Sequence, residues 1–576
     1  MRVVATAGHV DHGKSSLVLA LTGTDPDRFA EEKRRGLTID LGFAHAVLPS
    51  GEGISFIDVP GHIRFLRNML AGVGGIDACL FVVAATEGWK PQSEEHLRIL
   101  ELLGVRHGLI ALTKVDLVDD EWRDIATLDV LDHVAGTFLE DAPIIAVSAP
   151  TGGGLDDLRS ALDTLVARTP AASDQQRPRL WVDRVFAAKG SGTVVTGTLT
   201  GGSLQVDDRV SVGQHHHDVR IRSIQSLGAS HTTIGAGNRV ALNLSGVEHT
   251  EVRRGDAIVL PRQWRATQRF DASLRVLDRL DHDVSRRGAY AAYIGSGEFT
   301  VKLRVLGSEA IQPGSNGLVR LHLPEALSLL PGDRFILRES GRNETVGGGE
   351  VLDIAPVLAA SKATPDRNVD RVVRERGWVT TGELDLLTGE RREPTIGHWV
   401  VMPDAVDALR TSVRARVLDA GPLGFDVAAL DDRERAVLAT IADVAIDSGR
   451  ARQVAERDPL ADHPFVAVLR DGGFTPADAT DVDRAELRQL VRRGQIVERD
   501  GVFFHPQTID AAAMCAARLL SEHPEGFTVA QFRDATGSTR KHALPLAAEL
   551  DARGITRRRD DLRIGGPRLP ALDGAQ

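Results

Sequence analysis

Two glycines, a lysine and a serine stand at a fixed spacing near the start of the chain, in Gly8-His9-Val10-Asp11-His12-Gly13-Lys14-Ser15. The pattern G-x-x-x-x-G-K-[ST] suits phosphate, because glycines let backbone N–H groups turn inward and the lysine adds a positive charge. Val3–Ala7 before it reads as an apolar strand and Leu17–Leu21 after it as a helix. Strand, loop and helix are the context this chemistry needs. The residues Asp11, His12, Gly13, Lys14, Ser15 and Ser16 are therefore expected to cradle a nucleotide's phosphates. Lys14 would face the β- and γ-phosphates, and Ser15 would ligate Mg²⁺. His9 and His12 read as structural members of the loop rather than as catalysts.

A phosphate loop does not select a base. Four further stretches do, in the order a GTPase needs them. Thr38, in Arg35-Gly36-Leu37-Thr38-Ile39, would reach Mg²⁺ and the γ-phosphate. Phe56-Ile57-Asp58-Val59-Pro60-Gly61-His62 ends a strand; Asp58 would hold Mg²⁺ through water, and the Gly61 N–H would sense the γ-phosphate. The strand Leu109–Leu112 runs into Thr113-Lys114-Val115-Asp116. The Asp116 carboxylate can accept from both N–H groups on guanine's N1/N2 edge, a pair that adenine lacks. Thr113 replaces the commoner Asn, which usually braces the phosphate loop. After a last strand, Ser148 and Ala149 would touch the base. GTP and Mg²⁺ are the expected ligands.

The chain that must position these residues has 576 residues, enough for several domains. Its 42% hydrophobic and 26% charged content is ordinary for globular protein. Two cysteines, Cys79 and Cys515, make no disulfide framework and suggest a reducing compartment. No apolar run approaches the ~20 residues of a membrane helix, and the start of the chain leaves no room for a signal peptide. A cytoplasmic protein with no membrane partner is expected. The net charge of -11 disfavours binding nucleic acid over the whole surface but leaves room for a local basic patch.

G-H-V-D-H-G-K, R-G-x-T-I and D-x-P-G-H together resemble the translational GTPases, elongation factor Tu and its relatives. The resemblance implies that His62 orients the attacking water. It also implies that Val10 and Leu37 form an apolar gate that keeps His62 out until the ribosome acts. Beyond the GTPase domain, expected over residues 1–172, the texture changes to short, β-branched, glycine-punctuated segments such as Gly192–Leu199 and Val219–Ile224. Two β-barrels are expected, over 177–262 and 266–356, which is the elongation factor Tu plan. His215-His216-His217 reads as a polar hairpin loop, because adjacent strand residues point to opposite faces and do not converge on a metal.

Within that family, Arg334–Asp353, Asp183-Arg184-Val185-Phe186 and Gly237–Leu242 resemble the selenocysteine-specific elongation factors. The resemblance implies that Asp183, Arg184 and Arg239 face the amino acid of an aminoacyl-tRNA. A selenol is more acidic than a thiol, so selenocysteine is an anion at neutral pH. Two guanidiniums would favour it over serine or cysteine.

Residues 357–576 have no counterpart in elongation factor Tu. They read as tandem winged helices, mainly α, with the last copy at about 516–570. Three or four copies are expected; the weakly patterned stretch 405–475 keeps the count open. Within 526–564, eight basic residues face five acidic ones, a net +3 in a chain of -11. Basic residues at the start of a recognition helix and on a wing suit phosphates. By resemblance this copy binds an mRNA stem-loop through Arg540, Lys541 and Arg558. The expected fold is thus an α/β P-loop GTPase domain, two β-barrels and a winged-helix module. The expected partners are selenocysteinyl-tRNA, an mRNA stem-loop and the ribosome, bound by a monomer. Two rival readings remain: another elongation-factor-Tu-like GTPase, and a GTP-switched RNA-binding regulator without tRNA cargo.

Overall fold

The computed structural model describes residues 1–27, 34, 38–61, 69, 75–188, 192–213, 216–454 and 460–572. The chain divides into two compact units, Met1–Val400 and Val401–Gln576.

The first unit opens with a six-stranded sheet: β1 (Arg2–Ala7), β2 (Gly42–Val47), β3 (Gly53–Asp58), β4 (Ala78–Ala84), β5 (Gly108–Thr113) and β6 (Ile144–Ala146). The order is β2-β3-β1-β4-β5-β6. Only the β2–β3 pairing is antiparallel; the others are parallel. A parallel sheet is covered on both faces, so its central strands need apolar residues at every position. β4, Ala-Cys-Leu-Phe-Val-Val-Ala, is buried throughout. Its alternate residues serve opposite cores. Leu80 and Val82 pack with Leu17 and Leu158 from the helices Lys14–Thr22 and Leu155–Arg168. Phe81 and Val83 pack with Leu97 and Val130 from Pro91–Leu102 and Asp120–Val134. Each such side chain contributes ~1.5–3 kcal/mol on burial. The parallel strands share one carboxyl edge, where ligands of such sheets bind. That edge carries the turn after β1, residues 59–61 after β3, Lys114–Asp116 after β5 and Ser148 after β6.

Two barrels follow. In the first, six strands close a ring: Arg209–Val212, Ala257–Val259, Arg179–Trp181, Gly192–Thr200, Asn238–Ser245 and His216–Ser226, which pairs back to Arg209–Val212. His216 opens a strand, so the expected loop is shorter than the histidine triplet; His215 lies outside the described residues. The strand Arg184–Ala188 adds to Gly192–Thr200. The second barrel is closed by Ala266–Val276, Asn316–Ser328, Gly297–Leu306, Tyr290–Ile294, Arg334–Glu339 and Glu344–Asp353. Beyond it, the helix Val369–Arg376 is tied back to this unit: Arg371 Nη1 lies 3.2 Å from Asp353, and both side chains are buried.

In the second unit, the order helix, strand, helix, helix, strand, strand appears in full at its end. The helices are Pro506–Glu522, Val529–Thr536 and Arg540–Ala552, and the sheet runs Phe527–Thr528, Leu562–Gly565, Thr556–Arg559. A core of Ile509, Ala516, Phe532, Leu546 and Leu550 joins the helices. Thr528 and Gln531 form a reciprocal capping box at the second helix. The same order recurs over 403–453, where the middle helix shrinks to the single turn Val427–Ala429. Both cysteines are free, and no helix among the described residues is long and apolar enough to cross a membrane.

Candidate nucleotide-binding site and barrel pocket

The phosphate loop begins where β1 ends. Gly8 has φ +128°, and a Cβ there would lie 2.1 Å from the Val82 carbonyl oxygen, so no other residue fits. Gly13, also left-handed, caps the helix Lys14–Thr22. This helix directs its free N–H groups at the loop. The Lys14 ammonium lies 3.1 Å from the Gly8 carbonyl and 2.6 Å from that of His9. Its burial pulls its pKa down to about 8, which leaves it mostly charged at neutral pH, and a phosphate would raise it again. Gly61 lies against the same group: a Cβ there would meet Lys14 Nζ at 2.5 Å and the Val10 nitrogen at 2.7 Å.

Behind the lysine, five side chains form a chain of oxygens. Ser15 Oγ donates to Asp58 Oδ2 at 2.7 Å and lies 2.8 Å from Thr38 Oγ1. Thr38 Oγ1 is 2.9 Å from Asp27 Oδ1. Thr6 Oγ1 donates to the other oxygen of Asp58 at 2.7 Å. Hydroxyls and carboxylates at this spacing are the hard donor set that Mg²⁺ takes. Asp27 escaped the sequence reading because no motif spans it and its polar surroundings look like any loop.

Two residues of the helix Pro91–Leu102 also reach the loop. Gln92 Oε1 accepts from the Val10 N–H at 3.1 Å, and His96 Nδ1 accepts from the Gly8 N–H at 3.0 Å. Burial pushes both His96 and His12 down to about 3, so they stay neutral. The spacing of Gln92 and His96, four residues on one helix face, was the available signal. At the base end, Thr113 Oγ1 donates to the His12 carbonyl at 2.6 Å. Threonine thus supplies the brace that asparagine would have given. Lys114 takes a left-handed φ of 58° and pairs with Glu87 at 3.3 Å. Asp116 is exposed and Ser148 is buried at the same edge. His62 and Leu37 lie outside the described residues.

The barrel triad assembles on one face. Arg239 forks onto Asp183, with Nη1–Oδ2 at 2.6 Å and Nη2–Oδ1 at 3.0 Å. Thr196 Oγ1 donates to the same carboxylate at 2.7 Å. Both guanidiniums also cover the ring of Phe43 on β2, Arg239 at 3.4 Å and Arg184 at 4.3 Å from its centre. Arg184 donates to the Leu41 carbonyl, and Asp40 pairs with Arg254 of the barrel at 3.4 Å. A cavity of about 210 Å³ lined by Phe43, Thr196, Ser226 and Arg239 opens beside them. Thr38 and Phe43, five residues apart, therefore join the oxygen cluster to the pocket. Phe43 was not expected, since one aromatic in an alternating strand carries no signal.

In the last winged helix, Arg540 opens the helix Arg540–Ala552, and Arg558 lies on the strand Thr556–Arg559; both are exposed. Arg558 Nε donates to the Asp560 carbonyl at 3.1 Å. Lys541 is engaged, 2.6 Å from Asp478.

Residues 1–168 match the family model of the elongation factor Tu GTP binding domain. Residues 271–357 match that of the selenocysteine-specific elongation factor beta-barrel domain, and 518–564 that of the elongation factor SelB winged helix. A selenocysteine-specific elongation factor of Desulfomicrobium baculatum is 31% identical, over 97% of this chain and 99% of the relative. The chain belongs to the selenocysteine-specific elongation factor family. The relative of the same name from Escherichia coli (strain K12) is 30% identical over 97% of each chain. A crystal structure of a bacterial selenocysteine-specific elongation factor, EF-Sec, aligns with a TM-score of 0.71 and 26% identity, over 98% of this chain and 99% of that one. Family membership makes the first domain a GTP-hydrolysing one. The likeness to EF-Sec extends over the GTPase domain, both barrels and the winged helices.

Proposed function

We propose that the protein binds GTP and selenocysteinyl-tRNA, delivers the tRNA to the ribosome at UGA codons marked by an mRNA hairpin, and hydrolyses GTP on decoding. The observation that carries this reading is the segment from Thr38 to Phe43. One end touches the oxygen cluster of Ser15, Asp58 and Asp27, and the other stacks on Arg184 and Arg239. A change at the γ-phosphate that moves Thr38 would thus be felt at the cargo pocket. The same connection disfavours a regulator without tRNA cargo, which has no use for it.

In this reading Asp116, with Lys114, Ser148 and Ala149, selects guanine, and Thr113 holds the base loop to the phosphate loop. Residues 11–16 bind the phosphates, with the Lys14 ammonium balancing their charge. Ser15, Thr38 and Asp58 hold Mg²⁺, which when bound offsets negative charge on the β- and γ-phosphates. Gly61 allows the backbone after β3 to approach the γ-phosphate. His62 orients the attacking water, and Val10 and Leu37 gate it. We assign the GTPase to 1–172, the cargo pocket to the barrel 177–262, the second barrel to 266–356, and RNA binding to 357–576. The last copy, about 516–570, binds the hairpin through Arg540, Lys541 and Arg558. For Lys541 this requires exchanging Asp478 for a phosphate. Such a tether raises the effective concentration of a rare complex, carried by a monomer in the cytoplasm, beside its codon.

Single-turnover GTP hydrolysis on ribosomes programmed with UGA tests the reading. Hydrolysis is expected to be fast only when selenocysteinyl-tRNA and the hairpin are both present. Equal rates without either would favour the cargo-free regulator.

A further inference from the structure

The second unit carries a basic surface away from its last copy. The helix Arg484–Arg492 turns Leu487 and Leu490 into a core with Phe465, Leu469 and Ile496. Its other face repeats arginine every fourth residue, at Arg484, Arg488 and Arg492, all exposed. Four residues rise about 6 Å along a helix, comparable with the step between neighbouring phosphates on an extended nucleic-acid strand. None of the three forms an ion pair among the described residues; Arg488 Nε only donates to the Arg484 carbonyl at 3.1 Å. This contrasts with Lys541, which an aspartate already holds. The helix lies just ahead of a strand pair, Val497–Arg499 and Val502–Phe504, where a winged helix keeps its recognition helix.

The row ends in a cleft of about 570 Å³. Gln489, Arg492, Arg493 and Gln495 form one wall, and Ser448 and Arg450, from the turn of the preceding strand pair, form the other. Two carboxylates share it: Asp426, which caps the Ala428 N–H at 3.0 Å, and Asp447, 3.9 Å from Arg452. Along the helix the three arginines of the row outnumber its two carboxylates, Asp483, which caps the helix, and Glu486, 3.5 Å from His463. Gln495 adds a second feature. Its Oε1 is buried with no hydrogen-bond partner among the described residues. A lone buried acceptor is costly unless a donor arrives. The ribose 2′-hydroxyl is such a donor, and DNA lacks it.

We propose that this surface is a second RNA-binding site: a single strand lays its phosphates along Arg484, Arg488 and Arg492 and enters the cleft, where Gln495 accepts from a 2′-hydroxyl. The site lies outside the last copy, to which the proposed function assigns the hairpin, and needs no particular sequence.

Fluorescence anisotropy on the full chain tests it, with oligo(U) and oligo(dT) of about 16 nucleotides as probes across a range of salt. Three phosphate contacts at ~0.7 each give a combined slope of about 2 in log K against log salt. The triple variant Arg484→Gln/Arg488→Gln/Arg492→Gln is expected to lose that slope and to bind oligo(U) more than tenfold more weakly at low salt. The triple lysine variant, which keeps the charge, is expected to retain the slope and controls for misfolding. Oligo(U) is expected to bind more tightly than oligo(dT), and Gln495→Leu to remove that preference. An unchanged slope in the glutamine variant, or equal affinity for the two probes, would overturn the proposal. Hairpin binding by Arg540→Ala, measured in parallel, reports on the proposed function separately.

Discussion

Arg239 and Asp183 hold each other with a two-pronged contact in a nearly closed environment, their side chains only 12% and 7% exposed. A buried carboxylate that loses its partner is expensive. Arg239→Ala is therefore expected to destabilise the protein by about 3 kcal/mol, read from the denaturant midpoint. Asp183→Ala combined with it should recover most of that loss, because no charge is left stranded. A double variant as unstable as the single would mean that the cost lies in packing against Phe43 instead. At this scale, legibility in the sequence followed motif density. Lys14, Ser15, Asp58, Thr113 and Asp116 stand in patterns that fix their neighbours, and the structure brings them to one edge of the sheet. Phe43 and Asp27 act through folded proximity alone, and no spacing along the chain announces them. Lys541 shows the opposite failure: its charge pattern is plain, but Asp478, 63 residues earlier, could not be seen to meet it.

Among elements, the helix Pro91–Leu102 does more than cover the sheet. Gln92 and His96 hold phosphate-loop amides. Between them Glu95 reaches the second barrel, 3.4 Å from the buried Arg338 and 3.1 Å from Thr345. The two buried histidines give this arrangement a pH signature. Both imidazoles fall from 6.5 to about 3 through burial. The unfolded chain takes up their protons below about pH 6.5, whereas the folded one resists until about pH 3. Stability is therefore full above pH 6.5 and falls as the pH drops through that interval, by up to ~1.4 kcal/mol per unit for each histidine. Denaturation at pH 7.5 and pH 5.5 checks this. His96→Gln should make the dependence shallower, and an unchanged dependence would show that His96 does not contribute. Element types were easy to read where they are long. The apolar run of β4 and the β-branched barrel strands declare themselves. The copy at 403–453 was obscured because its middle helix is one turn, Val427–Ala429, and its strands span two to four residues.

For the whole molecule, the first compact unit runs to Val400, past the end of the second barrel. Arg371 and Arg376 both approach the buried Asp353, at 3.2 and 3.5 Å. A fragment ending at residue 356 would take both arginines from that carboxylate and is expected to be about 3 kcal/mol less stable than one ending at residue 400. Equal denaturation midpoints for the two fragments would contradict the packing role of the helix Val369–Arg376. The central claim is that the barrel pocket selects a selenolate, and one measurement tests it most directly. The GTP-loaded protein is titrated with selenocysteinyl-tRNA and with its seryl-tRNA precursor. Hydrogen bonds to a charged group are worth ~1.5–3 kcal/mol each, so Arg184 on a selenolate, with Arg239 already held by Asp183, predicts a preference of at least about 10-fold. That preference should vanish in Arg184→Ala/Arg239→Ala. Equal affinity for the two tRNAs in the unmodified protein would contradict the account.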